Sequence, residues 1–163
     1  MRFFHYGEYE ADWVYNYVAD THINIAFSQG KNHPIVRKYI MTKILIVDDE
    51  IQATTMLEII LSASGYETIS ENDSSMAMQV ADTVNPDLFI LDLMMPEPDG
   101  FKLCRMLRAD PKFAHTPILI VTALNDSDSQ VVAYGAGASD YLTKPYHVDE
   151  LTQRVKALIN KTG

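Results

Sequence analysis

The sequence predicts an α/β fold for residues 41–163, in which a parallel sheet carries helices on both faces. Short runs of β-branched and other apolar residues alternate there with amphipathic stretches, which is the pattern of successive β/α units. The first run, Ile44–Val47, is apolar at every position, as expected for a strand buried on both faces of a sheet. Five such units fit into this part of the chain, and right-handed crossovers between them give an open sheet between two layers of helices.

The first two units are short and end at clear stop signals. After the first strand, Gly65 is suited to end a helix whose periodic apolar residues share one face: Ala53, Met56, Leu57, Ile60 and Leu61. The segment Thr68–Ser70 is predicted to be a short second strand. A helix from about Asp73 to Asp82 follows it, and Pro86 ends that helix.

The last three units each have a strand that ends at a polar residue. These strands are Asp87–Leu91 before Asp92, Pro117–Val121 before Thr122, and Asp140–Thr143 before Lys144. The helices that follow them are predicted from their apolar periodicity. The third helix buries Leu103, Cys104 and Leu107, the fourth runs near Ser127–Tyr134, and the fifth carries Val148, Leu151, Val155 and Leu158 on one face.

Composition excludes several classes of function. The net charge of -9 and a pI near 4.8 argue against direct nucleic-acid binding, because phosphates would meet a like-charged surface. The sequence has no run of about 18 apolar residues, so no membrane-spanning segment is expected. The single cysteine, Cys104, cannot form an internal disulfide, and the first residues lack the apolar stretch of a signal peptide. These features predict a cytoplasmic protein.

Residues 1–40 form an N-terminal extension of unknown function that differs in character from residues 41–163. They hold equal numbers of acidic and basic residues, so the whole net charge lies in the second part, and they contain more than half of the aromatic residues. A strand is predicted from Thr21 to Phe27, and a helix over residues 8–18 with one apolar face: Trp13, Val14, Tyr17 and Val18. Either this segment is an upstream extension, with Met41 the working start, or it docks a partner through its aromatic residues.

Polar side chains follow four of the five predicted strands, at the edge where ligands bind in open α/β sheets. They are Asp48 and Asp49, Asp92, Thr122 and Lys144. Two bare carboxylates about 4 Å apart repel by roughly 4 kcal/mol at an effective dielectric of about 20, so three of them together require either a cation or a raised carboxyl pKa. Oxygen ligands favour Mg²⁺, and a carboxylate beside an ammonium and a hydroxyl suits phosphoryl transfer. An aspartate pair alone would more commonly cap a helix, so the joint placement carries this interpretation.

Four motifs in order resemble the receiver domain of two-component response regulators, and they cover about residues 42–160. They are Lys43–Glu50 (KILIVDDE), Leu91–Gly100 (LDLMMPEPDG), Val121–Ala123 (VTA) and Asp140–Pro145 (DYLTKP). The resemblance implies a flavodoxin-like, doubly wound, five-stranded parallel sheet of strand order 2-1-3-4-5. It also implies a single-domain, chemotaxis-like receiver over residues 41–163, because the sequence stops at Gly163 without an output domain.

The resemblance implies that Asp92 accepts a phosphoryl group from a phosphohistidine, which belongs to a sensor histidine kinase or a histidine phosphotransfer protein. It implies Mg²⁺ as the cofactor, bound directly by Asp49 and largely through water by Asp48. Asp92 and the backbone carbonyl of Met94 complete the protein ligands. On this interpretation the chain is not an enzyme, since it catalyses only its own phosphorylation and dephosphorylation.

Three further positions match the family's motifs. The resemblance implies that Lys144 pairs with the phosphoryl oxygens and that Thr122 donates its hydroxyl to one of them. The Lys144-Pro145 bond is cis in this family, which aims the ammonium inward. Tyr141 matches the switch aromatic, which turns inward as the threonine moves toward the phosphate. A downstream protein target is then expected at the face formed by the fourth helix, fifth strand and fifth helix, and a phosphorylation-dependent dimer is a second form of output.

Other functions for the same fold are less consistent with the residues. A Mg²⁺-dependent phosphohydrolase of the haloacid dehalogenase type needs a second aspartate two residues after the nucleophile, where this chain has Met94. A flavodoxin-like nucleotide binder needs glycines and hydroxyls in its first loop, whereas Asp48–Glu50 would repel a phosphate. A docking module of receiver fold that works without phosphorylation is the remaining alternative, and the presence of all five site residues argues against it.

Two apolar residues beside the site predict a long-lived phosphoryl group. Met94 and Leu124 stand where some relatives in this family place amide or acidic groups that influence the attack of water on the acylphosphate. Neither side chain can orient a water molecule by hydrogen bonding. The alternative interpretation is that both residues only pack against their neighbours.

Overall fold

The structure, a computed structural model, describes residues 41–161 in full and the backbone of three earlier strands over residues 13–18, 23–28 and 35–37. The chain divides into two compact units, Met1–Met41 and Thr42–Gly163.

The first unit contains a three-stranded antiparallel sheet formed by β1 (Trp13–Val18), β2 (Ile23–Ser28) and β3 (Ile35–Arg37), with β2 in the middle. The described part of the predicted strand is confirmed by β2. The predicted helix is wrong for residues 13–18, and residues 8–12 lie outside the described residues. Tryptophan, tyrosine and valine all favour strands, and pairing with β2 satisfies the backbone groups of β1 that face it.

The second unit alternates strands and helices in the predicted order. Its strands are β4 (Lys43–Val47), β5 (Glu67–Glu71), β6 (Leu88–Leu91), β7 (Ile118–Thr122) and β8 (Asp140–Thr143). Its helices are α1 (Ile51–Ala63), α2 (Ala77–Val84), α3 (Gly100–Ala109), α4 (Ser127–Ala136) and α5 (Val148–Asn160). All neighbouring strands are parallel and lie in the order β5-β4-β6-β7-β8, which confirms the flavodoxin-like order 2-1-3-4-5.

The sheet separates two apolar clusters, one under each layer of helices. Leu45 and Val47 of β4 belong to the cluster shared with α2, α3 and α4, whereas Ile44 and Ile46 belong to the cluster shared with α1 and α5. This alternation is what a strand covered on both faces requires. All residues of β6 and β7 are buried, so the central strands fix the positions of the residues that follow them.

Three helical details differ from the prediction. The second helix begins as a 3₁₀ turn at Ser74–Met76, capped by the carboxylate of Asp73, before α2 starts at Ala77. Met56 and Val148 are exposed rather than part of the core faces of α1 and α5. Met56 directly precedes the buried Leu57, so it lies about a quarter turn away from the core side of α1.

Two predicted features of the helices are confirmed. Gly65 adopts a left-handed φ of 88° just after α1, and the amide of Tyr66 donates to the carbonyl of Leu61 to close the last turn. Cys104 is buried in α3 and its thiol donates to the carbonyl of Ala136 in α4 at 3.4 Å. Burial raises the pKa of this thiol. None of the helices in the described part of the chain is long and apolar enough to cross a membrane.

The amino ends of β7 and β8 are tied together by the guanidinium of Arg108. It donates to the carbonyls of Gly137 at 2.8 Å, Thr116 at 2.7 Å and Phe113 at 3.1 Å, and to the hydroxyl of Ser139 at 3.3 Å. All four acceptors are neutral, and burial lowers the pKa of Arg108. This residue therefore holds backbone in place at the end of the sheet opposite the acidic residues.

Candidate functional site

Three carboxylates converge at the carboxyl edge of the parallel sheet. Asp48 and Asp49 directly follow β4, and Asp92 directly follows the adjacent strand β6. One oxygen from each lies within 4.8 Å of the others. Asp48 and Asp92 are buried, whereas Asp49 is exposed, so the cluster opens to solvent on the side of Asp49.

The ammonium of Lys144 offsets part of this negative charge. Its Nζ lies 2.6 Å from Oδ2 of Asp48 and 3.5 Å from Oδ1 of Asp92. Burial of the ammonium by itself lowers its pKa, but the hydrogen bond and charge attraction of Asp48, followed by those of Asp92, outweigh burial and leave the pKa of Lys144 raised. Lys144 follows β8 and precedes a cis peptide bond to Pro145, as the resemblance implied. The side chain of Lys144 therefore extends from the end of β8 to Asp92 after β6 and Asp48 after β4.

The backbone around Asp92 is held closely by the start of α3. The amide of Met94 donates to Oδ2 of Asp92 at 2.6 Å, and the amide of Gly100 donates to the carbonyl of Leu93 at 3.3 Å. A Cβ atom at Gly100 would lie 2.0 Å from the carbonyl oxygen of Asp92, so no larger residue fits there without moving this loop. The side chain of Met94 is 60% exposed.

Thr122 and Tyr141 lie on the adjacent strands β7 and β8. Thr122 is completely buried, and its Oγ1 accepts a hydrogen bond from the amide of Leu124 at 3.5 Å. Tyr141 is buried in the core, and its hydroxyl donates to the carbonyl of Leu124 at 2.9 Å. Burial, followed by the negative charges of Asp126 and Asp92, raises the pKa of Tyr141, so its hydroxyl keeps the proton it donates. Both residues thus contact the connection between β7 and α4.

The donor set of the acidic cluster fits a hard divalent cation. Three carboxylates within 4.8 Å share one nearby ammonium, which leaves an excess of negative charge at oxygen atoms. Mg²⁺ binds through one or two carboxylates plus other oxygen atoms, and it keeps room for phosphate and water. The exposure of Asp49 leaves the cluster open to an ion from solvent.

Of the five polar residues predicted at the strand ends, four lie close together and the fifth, Thr122, is linked to them through backbone. Asp48, Asp49, Asp92 and Lys144 lie within one group of short distances. Thr122 is linked to Lys144 through backbone, since the amide of Lys144 donates to the carbonyl of Thr122 at 2.7 Å.

Sequence reasoning did not identify the connection between β5 and α2 as part of this region. Asn72 and Ser74 lie there, and their side chains bond the backbone of both acidic loops. β5 is next to β4 in the sheet, and its carboxyl end therefore lies at the same edge as the acidic residues. The predicted strand order could have pointed to these residues, because it places the second strand beside the first.

A model of the response regulator receiver domain matches residues 44–156 of this chain. The DNA-binding dual master transcriptional regulator RpaA of Synechocystis is 39% identical over 122 residues, which are 75% of this chain and 51% of that protein. The alkaline phosphatase synthesis transcriptional regulatory protein PhoP of Bacillus subtilis is 40% identical over 120 residues, which are 74% of this chain and 49% of PhoP. The chain thus spans about half the length of these relatives.

Solved receiver structures agree with the fold. The signal receiver domain of a signal transduction histidine kinase from Syntrophus aciditrophicus has a TM-score of 0.69 at 35% identity and covers 74% of this chain and 91% of that domain. The BeF3-activated receiver domain of RstA from Klebsiella pneumoniae has a TM-score of 0.68 at 30% identity and covers 72% of this chain and 98% of that domain. The match over residues 44–156 and the shared strand order show that this chain belongs to the response regulator receiver domain family.

Proposed function

We propose that this receiver accepts a phosphoryl group on Asp92 and uses it to switch partner binding. The observation that carries the proposal is the convergence of Asp48, Asp49 and Asp92 within 4.8 Å, next to the ammonium of Lys144. The buried carboxylate of Asp92 lies near the exposed Asp49 and the ammonium of Lys144. This arrangement suits attack on a phosphorus atom that approaches from solvent. The chain is a signalling module on this proposal, and the only chemistry it promotes is its own phosphorylation and dephosphorylation.

The transfer makes one bond and breaks one bond. A carboxylate oxygen of Asp92 attacks the phosphorus of a phosphohistidine in a sensor histidine kinase or a histidine phosphotransfer protein. The oxygen–phosphorus bond forms as the phosphorus–nitrogen bond breaks, and the leaving imidazole keeps the bonding electrons and takes up a proton. Asp92 then carries an acyl phosphate, and its hydrolysis by water returns inorganic phosphate and the free carboxylate.

Asp48, Asp49, Asp92 and the backbone carbonyl of Met94 are the proposed ligands of Mg²⁺. When bound, this ion neutralises charge on the phosphoryl oxygens and so lowers the repulsion between phosphate and the acidic cluster. Asp49 is the most accessible of the three carboxylates, which suits direct contact with an ion arriving from solvent. Asp48 has one oxygen on Lys144 and the other on the amide of Glu50, which suits an indirect role.

Lys144 and Thr122 supply the remaining contacts to the phosphoryl group in this proposal. The ammonium already lies 3.5 Å from Asp92, so a shift away from Asp48 would bring it to a phosphoryl oxygen. Thr122 donates its hydroxyl to another oxygen, because its Oγ1 holds only a long contact with the amide of Leu124. Movement of Thr122 would act on the same connection that the hydroxyl of Tyr141 holds, and this links the phosphate to the face formed by α4, β8 and α5.

Exposed apolar side chains surround the site and suit a protein donor. Ile51 begins α1, Met94 follows Asp92 and Val148 begins α5, so all three stand at the carboxyl edge of the sheet. A kinase or phosphotransfer protein that covers them would exclude water around the reacting atoms. A downstream target, or a second copy of this domain, is proposed to bind the α4, β8 and α5 face. Because the donor is a kinase of the two-component type, we place the chain in the cytoplasm.

Intact-mass measurement after incubation with acetyl phosphate and Mg²⁺ tests the proposal. We expect the mass of one phosphoryl group to be added, and both Asp92→Asn and chelation of Mg²⁺ should abolish the gain. Asp110→Asn serves as the matched control, because it changes an aspartate at the opposite end of α3. No mass gain in the wild-type protein would overturn phosphoryl acceptance and favour a docking module. Steady release of phosphate from many small phosphate esters would favour a phosphohydrolase instead.

A further inference from the structure

The connection between β5 and α2 contacts the backbone of both acidic loops, although it carries none of the proposed metal ligands or phosphoryl contacts. β5 pairs with β4 up to Val47 opposite Glu71, and the amide of Asp48 donates to the carbonyl of Glu71 at 3.3 Å. The residues after Glu71 therefore begin at the level of the acidic cluster. Two of them, Asn72 and Ser74, use their side chains to reach across to the neighbouring loops.

Asn72 holds the loop that contains Asp48. Its Nδ2 donates to the backbone carbonyl of Asp48 at 2.6 Å and to Oγ1 of Thr54 at 3.2 Å. A carbonyl oxygen can only accept, so the nitrogen of the amide must face Asp48, and both of its hydrogens are then used. Thr54 is buried and donates its own hydroxyl hydrogen to the carbonyl of Ile51 at 3.0 Å. A chain of hydrogen bonds thus runs from the end of β5 through Asn72 to the first turn of α1.

Ser74 holds the loop that contains Asp92. Its hydroxyl donates to the backbone carbonyl of Pro96 at 2.9 Å, and the residue is buried. Pro96 lies two residues after Met94, whose amide contacts the carboxylate of Asp92. The two side chains of the same short connection therefore anchor the two loops that supply all the carboxylates of the acidic cluster.

From these contacts we propose that Asn72 and Ser74 are positioning residues for the acidic cluster. They hold the backbone of the two loops at the separation that lets three like-charged carboxylates share one cation. The inference rests on the proposed function, because it concerns the Mg²⁺ and phosphoryl site. Neither residue touches the reacting atoms, and each acts through a backbone carbonyl.

The dissociation constant for Mg²⁺, measured by calorimetry without any phosphoryl donor, tests this role. Outer partners of metal ligands typically change metal affinity by about 10- to 100-fold, and we expect Asn72→Leu to weaken Mg²⁺ binding by about tenfold. Phosphoryl uptake from acetyl phosphate should slow at low Mg²⁺ and recover toward the wild-type rate at saturating Mg²⁺. The amide of Glu50 donates to Oδ1 of Asp48, so its hydrogen exchange should speed up in the same variant. Ser74→Ala should speed up exchange at the amide of Met94 instead.

Ser62→Ala is the matched control. It removes a 3.0 Å hydroxyl contact between Ser62, near the end of α1, and Thr68, near the start of β5, so the contact lies away from the acidic cluster. It should leave the Mg²⁺ affinity unchanged. If Asn72→Leu does not fold, variants of Thr54 test the same role, because its Oγ1 accepts from Asn72. Thr54→Val removes this hydroxyl and should weaken Mg²⁺ binding, whereas Thr54→Ser keeps it and should bind Mg²⁺ like the wild-type protein. Wild-type affinity in both Asn72→Leu and Thr54→Val would overturn the positioning role alone. A wild-type protein that binds no Mg²⁺ and gains no phosphoryl group would overturn the proposed function itself.

Discussion

The two ends of the parallel sheet each hold a partly buried cation, but they hold it in different ways. At the carboxyl end, Lys144 lies against two carboxylates, and their charge leaves its pKa raised even though burial opposes this. At the amino end, Arg108 lies against three carbonyls and a hydroxyl, and burial leaves its pKa lowered. One cation is held by charge and the other by the directions of its hydrogen bonds.

Because of this difference, we expect the side chain of Lys144 to be able to move and that of Arg108 to stay fixed. A flexible ammonium can exchange one carboxylate for a phosphoryl oxygen without leaving any backbone group unpaired. The planar guanidinium of Arg108 satisfies several carbonyls at once, and moving it would remove the donor from the carbonyls of Thr116 and Gly137. The domain thus keeps its adjustable charge where the proposed chemistry occurs and its fixed charge where β7 and β8 begin.

Removing the ammonium at the carboxyl end should have the largest effect. We expect Lys144→Met to slow phosphoryl uptake from acetyl phosphate by about 100-fold, because loss of one charge-stabilising group typically costs about 3 kcal/mol of activation free energy. Intact-mass time courses measure this rate. Lys156→Met changes an exposed lysine of α5 and should behave like the wild-type protein. Equal rates for both variants would show that the ammonium of Lys144 takes no part in phosphoryl uptake.

Removing the guanidinium at the amino end should reduce stability and spare chemistry. We expect Arg108→Met to lower the free energy of unfolding by about 2 kcal/mol, since the partly buried carbonyls of Thr116 and Gly137 lose their donor. Urea denaturation measures this change, and Arg105→Met, an exposed neighbour on α3, is the control. The phosphoryl uptake rate below the unfolding transition should stay at the wild-type value. A large loss of uptake with unchanged stability would remove the distinction between the two ends.

The lifetime of the phosphoryl group tests a further feature of the carboxyl end. Met94 is exposed beside Asp92, whereas Leu124 is half buried against the core. Introducing polar groups with Met94→Asn and Leu124→Glu should let water be oriented, and phosphate loss should accelerate by about tenfold, or about 1.4 kcal/mol in the barrier. The decay of the phosphorylated mass after removal of acetyl phosphate gives this rate. An unchanged or slower decay would mean that both residues serve only packing.

The pH dependence of stability should give the smallest effect. Because the pKa of Lys144 is raised in the folded state, its ion pair contributes fully at pH values below the ordinary lysine pKa. That contribution is lost only as the pH rises through the folded pKa. The difference in free energy of unfolding between wild type and Lys144→Met should therefore be constant around neutral pH and shrink in alkaline solution. A difference that varied around neutral pH would point to another titrating group.

Most of the second unit followed from its sequence because local signals there agree with the tertiary fold. Continuous apolar strands, stop signals such as Gly65 and polar residues at strand ends all pointed to the observed arrangement. The helix predicted over residues 13–18 was wrong because tryptophan, tyrosine and valine favour strands, and pairing with β2 outweighed the helical spacing of the apolar residues. Short-range patterns could not foresee that pairing.

The candidate site was predictable for residues that carry charge at strand ends, and less so for those that act through backbone. Asn72 and Ser74 have ordinary turn-forming side chains, so their sequence context suggests only a loop and a helix start. Their contacts with the carbonyls of Asp48 and Pro96 depend on how three loops pack together. The exposure of Val148 likewise depends on its position as the first residue of α5, before the helix reaches the core.

Cys104 is the protein's single cysteine, and the burial of its thiol makes the domain convenient for fluorescent labelling. It is 1% exposed, and its raised pKa keeps it in the unreactive protonated form, so maleimide dyes should spare it in the folded protein. A cysteine introduced at exposed Ile59 on α1 or Val131 on α4 would then carry the only dye. These helices cover opposite faces of the sheet, and the two labelled proteins would report which face a kinase or a target covers.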